Sequence, residues 1–469
     1  MKKSRATNPT AKTIRRPLNG AVLPAECLRA GVGRADITPP QLGRPMLGYA
    51  DPDRKSERIR DRLHATTVVF DSEAGPSVLI SLDVLSVDQP TTAAIRQGVQ
   101  EQTGIEGSRV MVHPIQTHSG PCTQNIWGWG DRDDEYVFGT LVPSAIATVV
   151  QARKSMVPVR IGIGCTRSDV GINRRATDAD GNLTGALSGI GLHDPHLTVA
   201  RIETARGLLA NLVHYGAHPT VFGEWSRAVS RDWPGILIDR MEELTKAPTL
   251  FFGGATGDVA PRTNALRLTG DQSEAALWET GARAAWDAMD AWRSIKDIRV
   301  MPVRTIVRTI DLPYRPLPPL DEARQRVAEF APQKDSYGTG MCEYKHWSAV
   351  LEAHARPLET AYHHPVVATA IGPLAMVPLP GEVFAETSLR LRHYSPFQHT
   401  LVASLTDNCL GYFFTRESLA RGGYEPWVNR AFSAYSLADG IDDVLVRESL
   451  RVLAELHREI TPAWPVEPG

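Results

Sequence analysis

Six apolar runs of this chain stop at a side chain able to carry a proton, a charge or a metal: Asp83, the Gln116/His118 pair, His218, Asp258, Glu382 and Asp407. In open α/β sheets ligands collect beyond the carboxyl ends of strands, so a buried strand ending in His or Glu is a candidate wall of one shared pocket. In VHPIQTHSGP, period-two alternation puts Gln116 and His118 on one strand face, ahead of a Ser-Gly-Pro turn. His214 and His218 are four apart, but Gly216 between them argues against a helix, so they need not share a face. Proline disfavours the helical region for its predecessor, so His218 before Pro219 sits in extended backbone, where a neutral imidazole can bind a divalent metal. Glu382 follows a Pro-Gly corner and precedes a helix; it can ligate a metal, act as a base, or favour the helix N-terminus. Tyr412, after a turn, can be a ligand or an acid. Trp127 and Trp129, between glycines, can stack on a sugar or an acyl chain, or pack over the domain edge. Asp232 before Trp-Pro-Gly reads as a structural N-cap.

These groups need elements to hold them. The strands expected are PSVLISLD, RVMVHPIQ, LLANLVHYGAH, TLFFGGATGD, LAMVPLPGE and TLVASLTDN, after a first strand and turn in AGVGRADITPP. Helices are expected over 91–103, 141–155, 234–245, 272–292, 320–330, 384–393 and 441–459. In the fourth of these, Ala275, Trp278, Ala282, Ala285 and Met289 recur at helical spacing. Apolar strands alternating with helices predict an α/β fold around a mixed or parallel sheet. The glycine-rich FFGGATGDVAPR lacks the Gly-Lys-Ser/Thr of a P-loop, which excludes nucleotide binding of that kind.

The chain has 469 residues, a net charge of −2, 42% hydrophobic and 22% charged residues, which excludes wholesale disorder and gives no electrostatic case for nucleic acid. Lys2, Lys3, Arg5, Lys12, Arg15 and Arg16 precede the first acidic residue, so residues 1–27 read as a basic, solvated leader and 28–469 as one globular unit. No apolar run approaches the ~18 residues of a membrane span. Five scattered cysteines without a C-x-x-C argue against a disulfide framework and for a cytoplasmic protein.

The segments AGVGRADITPP, SLDVLS, QTHSGP, GINRR, AHPT, GATGDVAPR, LPGE and LGYFFT, in this order, resemble the neutral/alkaline non-lysosomal ceramidase family from about residue 30 onward. The resemblance is to the family's catalytic domain, without its C-terminal immunoglobulin-like domain. It implies a zinc-dependent amidase fold with a mixed sheet core and flanking helices. Carried over residue by residue, it makes His218, Glu382 and Tyr412 metal ligands, and His118 and Arg174 catalytic groups on the substrate side. The family's first ligand histidine is Gln116 here, and a serine that meets the substrate is Ala260. An amide carbonyl binds zinc less well than imidazole, so the resemblance implies a weakened site or a harder ion such as Mg²⁺, Mn²⁺ or Ca²⁺.

Together these readings give a metal-dependent hydrolase of an amide bond in an N-acylated, sphingolipid-like or other substrate. The metal would polarise the carbonyl, His118 would shuttle protons, and Arg174 would hold a polar or anionic group. Trp127, Trp129 and Asp258 are expected on the substrate side. The alternative enzyme is a metal-free uronate lyase using Gln116 or Arg174 as charge neutraliser, His118 as base and Tyr412 as acid. A binding protein with a decayed site is the third reading. The partner expected is a small molecule, lipid or saccharide, and a homo-oligomer is left open.

Overall fold

A computed structural model describes residues 28–184 and 186–461 of the chain. The leader expected over 1–27 lies outside them. Val78–Leu82, rich in β-branched and leucine residues, pairs in parallel with Val110–Pro114. Both belong to a five-stranded sheet completed by Arg29–Asp36, His64–Ser72 and Val157–Pro158. A second sheet, of four strands, runs Thr249–Gly253, Gly207–Tyr215, His196–Thr204, Arg160–Arg167, its first pair parallel. The third sheet runs Val303–Pro313, Ala361–Ile371, Leu374–Pro378, His399–Ala403, with its last pair parallel. The architecture is mixed α/β.

Apolar side chains of all three sheets meet in one interior layer, including Phe70, Leu79, Met111, Ile161, Leu212, Phe252, Met376 and Leu401. Each sheet's other face is covered by helices: Gln89–Thr103 and Val142–Lys154 on the first, Asp232–Thr245 and Asp271–Ser294 on the second, Ala385–Tyr394 and Ile441–Ile460 on the third. The last helix shows why such a segment folds there. Leu445, Val452, Leu453, Leu456 and Ile460 bury one stripe, and each such side chain contributes ~1.5–3 kcal/mol. No helix among the described residues is long and apolar enough to cross a membrane.

Several elements depart from the sequence expectation for identifiable reasons. The strand Ala361–Ile371 contains Pro365, which argues against a strand interior. It pairs with Val303–Pro313 along its whole length but with Leu374–Pro378 only through residues 369–371, so Pro365 lies where its other side is an edge. The helix Thr339–His354 buries Glu343 and His346 among its apolar residues, which breaks the stripe. Glu343 is satisfied there by Trp347 and Trp427 indole N–H groups and by Arg430. Asp232 is the first residue of its helix rather than the N-cap, with φ +55°, and its carboxylate receives the N–H groups of Val221, Phe222 and Trp233.

Candidate active site

Three chain segments deliver the centre of the cluster. The strand Val110–Pro114 ends before Gln116, whose φ of +74° turns its side chain inward while its N–H bonds to Val84 O (3.0 Å). The strand alternation expected for Gln116 and His118 therefore does not hold, because the strand has already ended. Both still reach the same neighbour: Gln116 Nε2 lies 3.1 Å from His218 Nε2, and the His118 and His218 rings are 5.6 Å apart. His218 follows the strand Gly207–Tyr215, and its backbone N–H bonds to Val259 O. Its Nδ1 sits 2.6 Å from Thr256 O and 3.2 Å from Val259 O, so Nδ1 carries the proton and Nε2 faces the cluster. Glu382 comes from the short strand Glu382–Val383, paired in parallel with Tyr412–Phe413, which places Glu382 beside Tyr412. Its Oε2 is 2.8 Å from Gln116 Nε2 and 2.9 Å from His218 Nε2.

A second layer adjoins this triad. Arg174 Nη2 donates to Tyr412 Oη (3.2 Å) and to Gly257 O (2.8 Å), and its Nε lies 3.2 Å from Glu425. Glu425 is buried and also pairs with Arg175, so one carboxylate neutralises two adjacent arginines. Burial opposes the Arg174 charge, but Tyr412, Glu425 and Glu382 outweigh it and hold the guanidinium firmly protonated. Burial, reinforced by Glu382 and only partly offset by Arg174, pushes the Tyr412 phenol well above its usual range. His118 donates from Nδ1 toward Gly48 O (3.2 Å), and its Nε2 is buried without a partner. Burial first, then His218 and Arg54, hold its imidazole well below the ordinary histidine range. That keeps the ring neutral.

Backbone packing leaves no room for side chains at two points of this frame. A Cβ on Gly257 would lie 2.7 Å from Glu382 O, and one on Gly48, at φ +118°, 2.6 Å from His118 Nδ1. Asp258 stays close by but faces the scaffold: it receives Ala385 N–H (2.7 Å) and Asn173 Nδ2 (3.0 Å), and burial raises it to about 6. Asp83 instead receives His64 N–H (2.7 Å), and Asp407 binds Arg96 and Val112 N–H; both are structural strand ends. His214 lies in the sheet with Nε2 on Val402 O. Trp129 packs on Trp427, and Trp127 is half-buried with its backbone N–H on Ala431 O, which places both against residues 427–431.

Sequence reasoning missed four groups. Arg54, buried, donates to Leu47 O, Ser226 O and His118 O, and its guanidinium lies 4.8 Å from the Tyr49 ring centre. Tyr49 in turn meets the His118 ring at 5.4 Å. Glu425 and Tyr424 close the other side, Tyr424 edge-on to Tyr412 at 6.1 Å and half-exposed. None of the four ends an apolar run, so no pattern marked them. The cavities of about 300 and 250 Å³ next to Val300–Arg304 and Arg315–Trp347 contain none of these residues.

The family model described as neutral/alkaline non-lysosomal ceramidase, N-terminal, matches residues 28–275, more than half of the chain. The chain belongs to this family. It is 24% identical over 225 residues to neutral ceramidase 2 of Arabidopsis thaliana and 25% identical over 253 residues to neutral ceramidase B of Dictyostelium discoideum. Those matches take in 45% and 50% of this chain but only 30% and 35% of the relatives' length. The crystal structure of neutral ceramidase from Pseudomonas aeruginosa superposes with a TM-score of 0.71 at 18% identity, over 94% of this chain and 76% of that one. The likeness shows the catalytic-domain fold.

The family resemblance implies a zinc site, and the donor set tests that implication. His218 Nε2 and Glu382 Oε2 are good ligand atoms, but Gln116 turns its NH₂ toward both, and its one ligand atom, Oε1, points away, buried and unpartnered. Tyr412, expected as a further ligand, has its oxygen taken by a hydrogen bond from Arg174 Nη2 at 3.2 Å. A protein zinc site takes three or four donors. Two remain here, and among the described residues no group of three His, Cys, Asp or Glu side chains gathers to hold an ion. The residues as arranged do not fit zinc.

Proposed function

We propose that this protein hydrolyses the amide bond of an N-acylated substrate at the Gln116–His118–His218–Glu382–Tyr412–Arg174 cluster. Family membership supports the reaction class. The single observation that carries the assignment to these residues is a partnerless His118 Nε2 in the same cluster as Tyr412, whose oxygen already accepts from Arg174. Because Arg174 donates to that oxygen, the phenol's own proton is free to point at a substrate. In this reading His118 Nε2 takes a proton from water attacking the carbonyl carbon, and Tyr412 donates to the oxyanion that forms. The proton on His118 then passes to the departing nitrogen. A positioned base contributes ~10²–10⁴ in rate and an oxyanion donor ~10²–10³.

A second reading, β-elimination from a uronate, is favoured by one observation. The Arg174 guanidinium, a positive charge next to Tyr412 Oη, would neutralise a substrate carboxylate near the same phenol. The test is to incubate the purified chain with N-acyl amides of several acyl lengths, and separately with oligouronides. The expected result is release of amine and fatty acid, reduced about 100-fold in His118→Asn and Tyr412→Phe with melting temperature retained. Amides left intact while oligouronides yield an ultraviolet-absorbing unsaturated product would replace hydrolysis by elimination.

A further inference from the structure

The mismatch between family zinc chemistry and this donor set has a specific cause at Gln116. We propose that the carboxamide of Gln116 takes the place of a metal ion, so that the site is built to work without a bound divalent cation. The inference rests on the reading of this cluster as the active site and adds what holds it together.

The two atoms that would grip an ion are His218 Nε2 and Glu382 Oε2, 2.9 Å apart. His218 Nδ1 is committed to Thr256 O at 2.6 Å, so Nε2 is the open position of the ring. Two electron-rich atoms this close need something positive between or beside them. Gln116 provides it: its Nε2 donates to Glu382 Oε2 at 2.8 Å and lies 3.1 Å from His218 Nε2. A cation would reverse this demand, because it requires Oε1 toward the pair and would leave the two N–H donors facing away. The amide donor and the ion are therefore mutually exclusive occupants of one position. A second positive group stands nearby, since the Arg174 guanidinium donates to Tyr412 Oη at 3.2 Å.

The backbone shows that this residue can be exchanged. Gln116 sits at φ +74°, in the left-handed region, where histidine is tolerated better than most non-glycine residues. Gln116→His returns an imidazole nitrogen to the same point, and Gln116→Glu returns a carboxylate of the same length.

The experiment loads the full chain and both variants with zinc sulfate, dialyses them to equilibrium, and counts zinc by elemental analysis. Unfolding temperature with and without zinc gives a second readout. The expected result is below ~0.1 equivalent of retained zinc and no thermal shift for the wild type. Gln116→His should retain about one equivalent with at least ~100-fold tighter binding and a raised melting temperature. Gln116→Glu should move in the same direction, which keeps the test decisive if the histidine variant does not fold. One tightly held equivalent in the wild type, or no gain in either soluble variant, overturns the proposal. Because the readout is metal content, it separates from activity. An inactive, zinc-free wild type would sink the amidase reading and leave this one standing; an active wild type with tight zinc would do the reverse.

Discussion

Asp258 ties three parts of the site together, and its replacement by asparagine has a calculable signature. Its carboxylate receives the N–H of Ala385 and the amide of Asn173, while its backbone carbonyl receives the N–H of Arg174. Burial raises its pKa to about 6 from 3.8, only partly offset by the Ala385 N–H and Arg174. A carboxyl whose folded pKa is raised binds its proton more tightly in the native state. Its contribution to stability is therefore full below about pH 4 and is lost as pH rises through 6. At 1.36 kcal/mol per pKa unit the loss is about 3 kcal/mol. In Asp258→Asn the new carboxamide would keep the bond from Ala385 but set its NH₂ against that of Asn173. Asn173 cannot turn over without giving up its bonds to Arg175 N–H and Leu192 O, so one hydrogen bond worth ~1 kcal/mol is lost at every pH. The Asp258→Asn variant should thus be less stable than wild type by ~1 kcal/mol near pH 4 and more stable by ~2 kcal/mol near pH 7. Urea unfolding of both proteins at the two pH values measures this. Asp232, also raised to about 6 by burial, titrates in both proteins and cancels in the difference. A swing smaller than ~1 kcal/mol would refute the burial argument.

Other consequences follow from the same geometry. Arg54→Met leaves the carbonyls of Leu47, Ser226 and His118 without their donor, so it should cost ~3 kcal/mol by denaturant titration and lower turnover through displacement of His118. Burial works to raise Asp194, but His196, Arg392 and Ser388 outweigh it and hold its carboxyl well below the usual range. The stability it supplies is present above about pH 4 and lost as pH falls further. Asp194→Asn should flatten the acid limb of the melting-temperature profile, and an unchanged acid limb would contradict this. Gly257→Ala drives a methyl toward Glu382 O at 2.7 Å and should cost ~1–3 kcal/mol of stability, read by thermal unfolding, with activity lost even in the soluble fraction.

Much of the frame could be read from local pattern. The helices Gln89–Thr103, Asp271–Ser294 and Ile441–Ile460 each carry an apolar stripe, and Val110–Pro114 and Thr249–Gly253 are continuous buried runs. Strand ends led to Gln116, His118, His218 and Glu382, because parallel neighbours leave their carboxyl ends at one edge. The same rule misplaced Asp83 and Asp407, whose carboxylates serve backbone N–H groups instead. Edge proline hid Ala361–Ile371, and buried Glu343 hid the helix after Gly338. Glu425 and Arg54 were illegible for a different reason. Their roles come from partners far away in sequence, Arg174 and the carbonyls of Ser226 and His118, and no local spacing encodes a long-range charge pair.

The central claim is that water attacks a carbonyl in this cluster, and heavy-oxygen water tests it most directly. The purified chain is incubated with an N-acyl amide in isotopically labelled water, and the acid product is weighed by mass spectrometry. The account predicts one labelled oxygen in the released carboxylate, formed by the wild type and about 100-fold more slowly by His118→Asn. Products lacking the label, or an unsaturated uronide formed without oxygen incorporation, would contradict it.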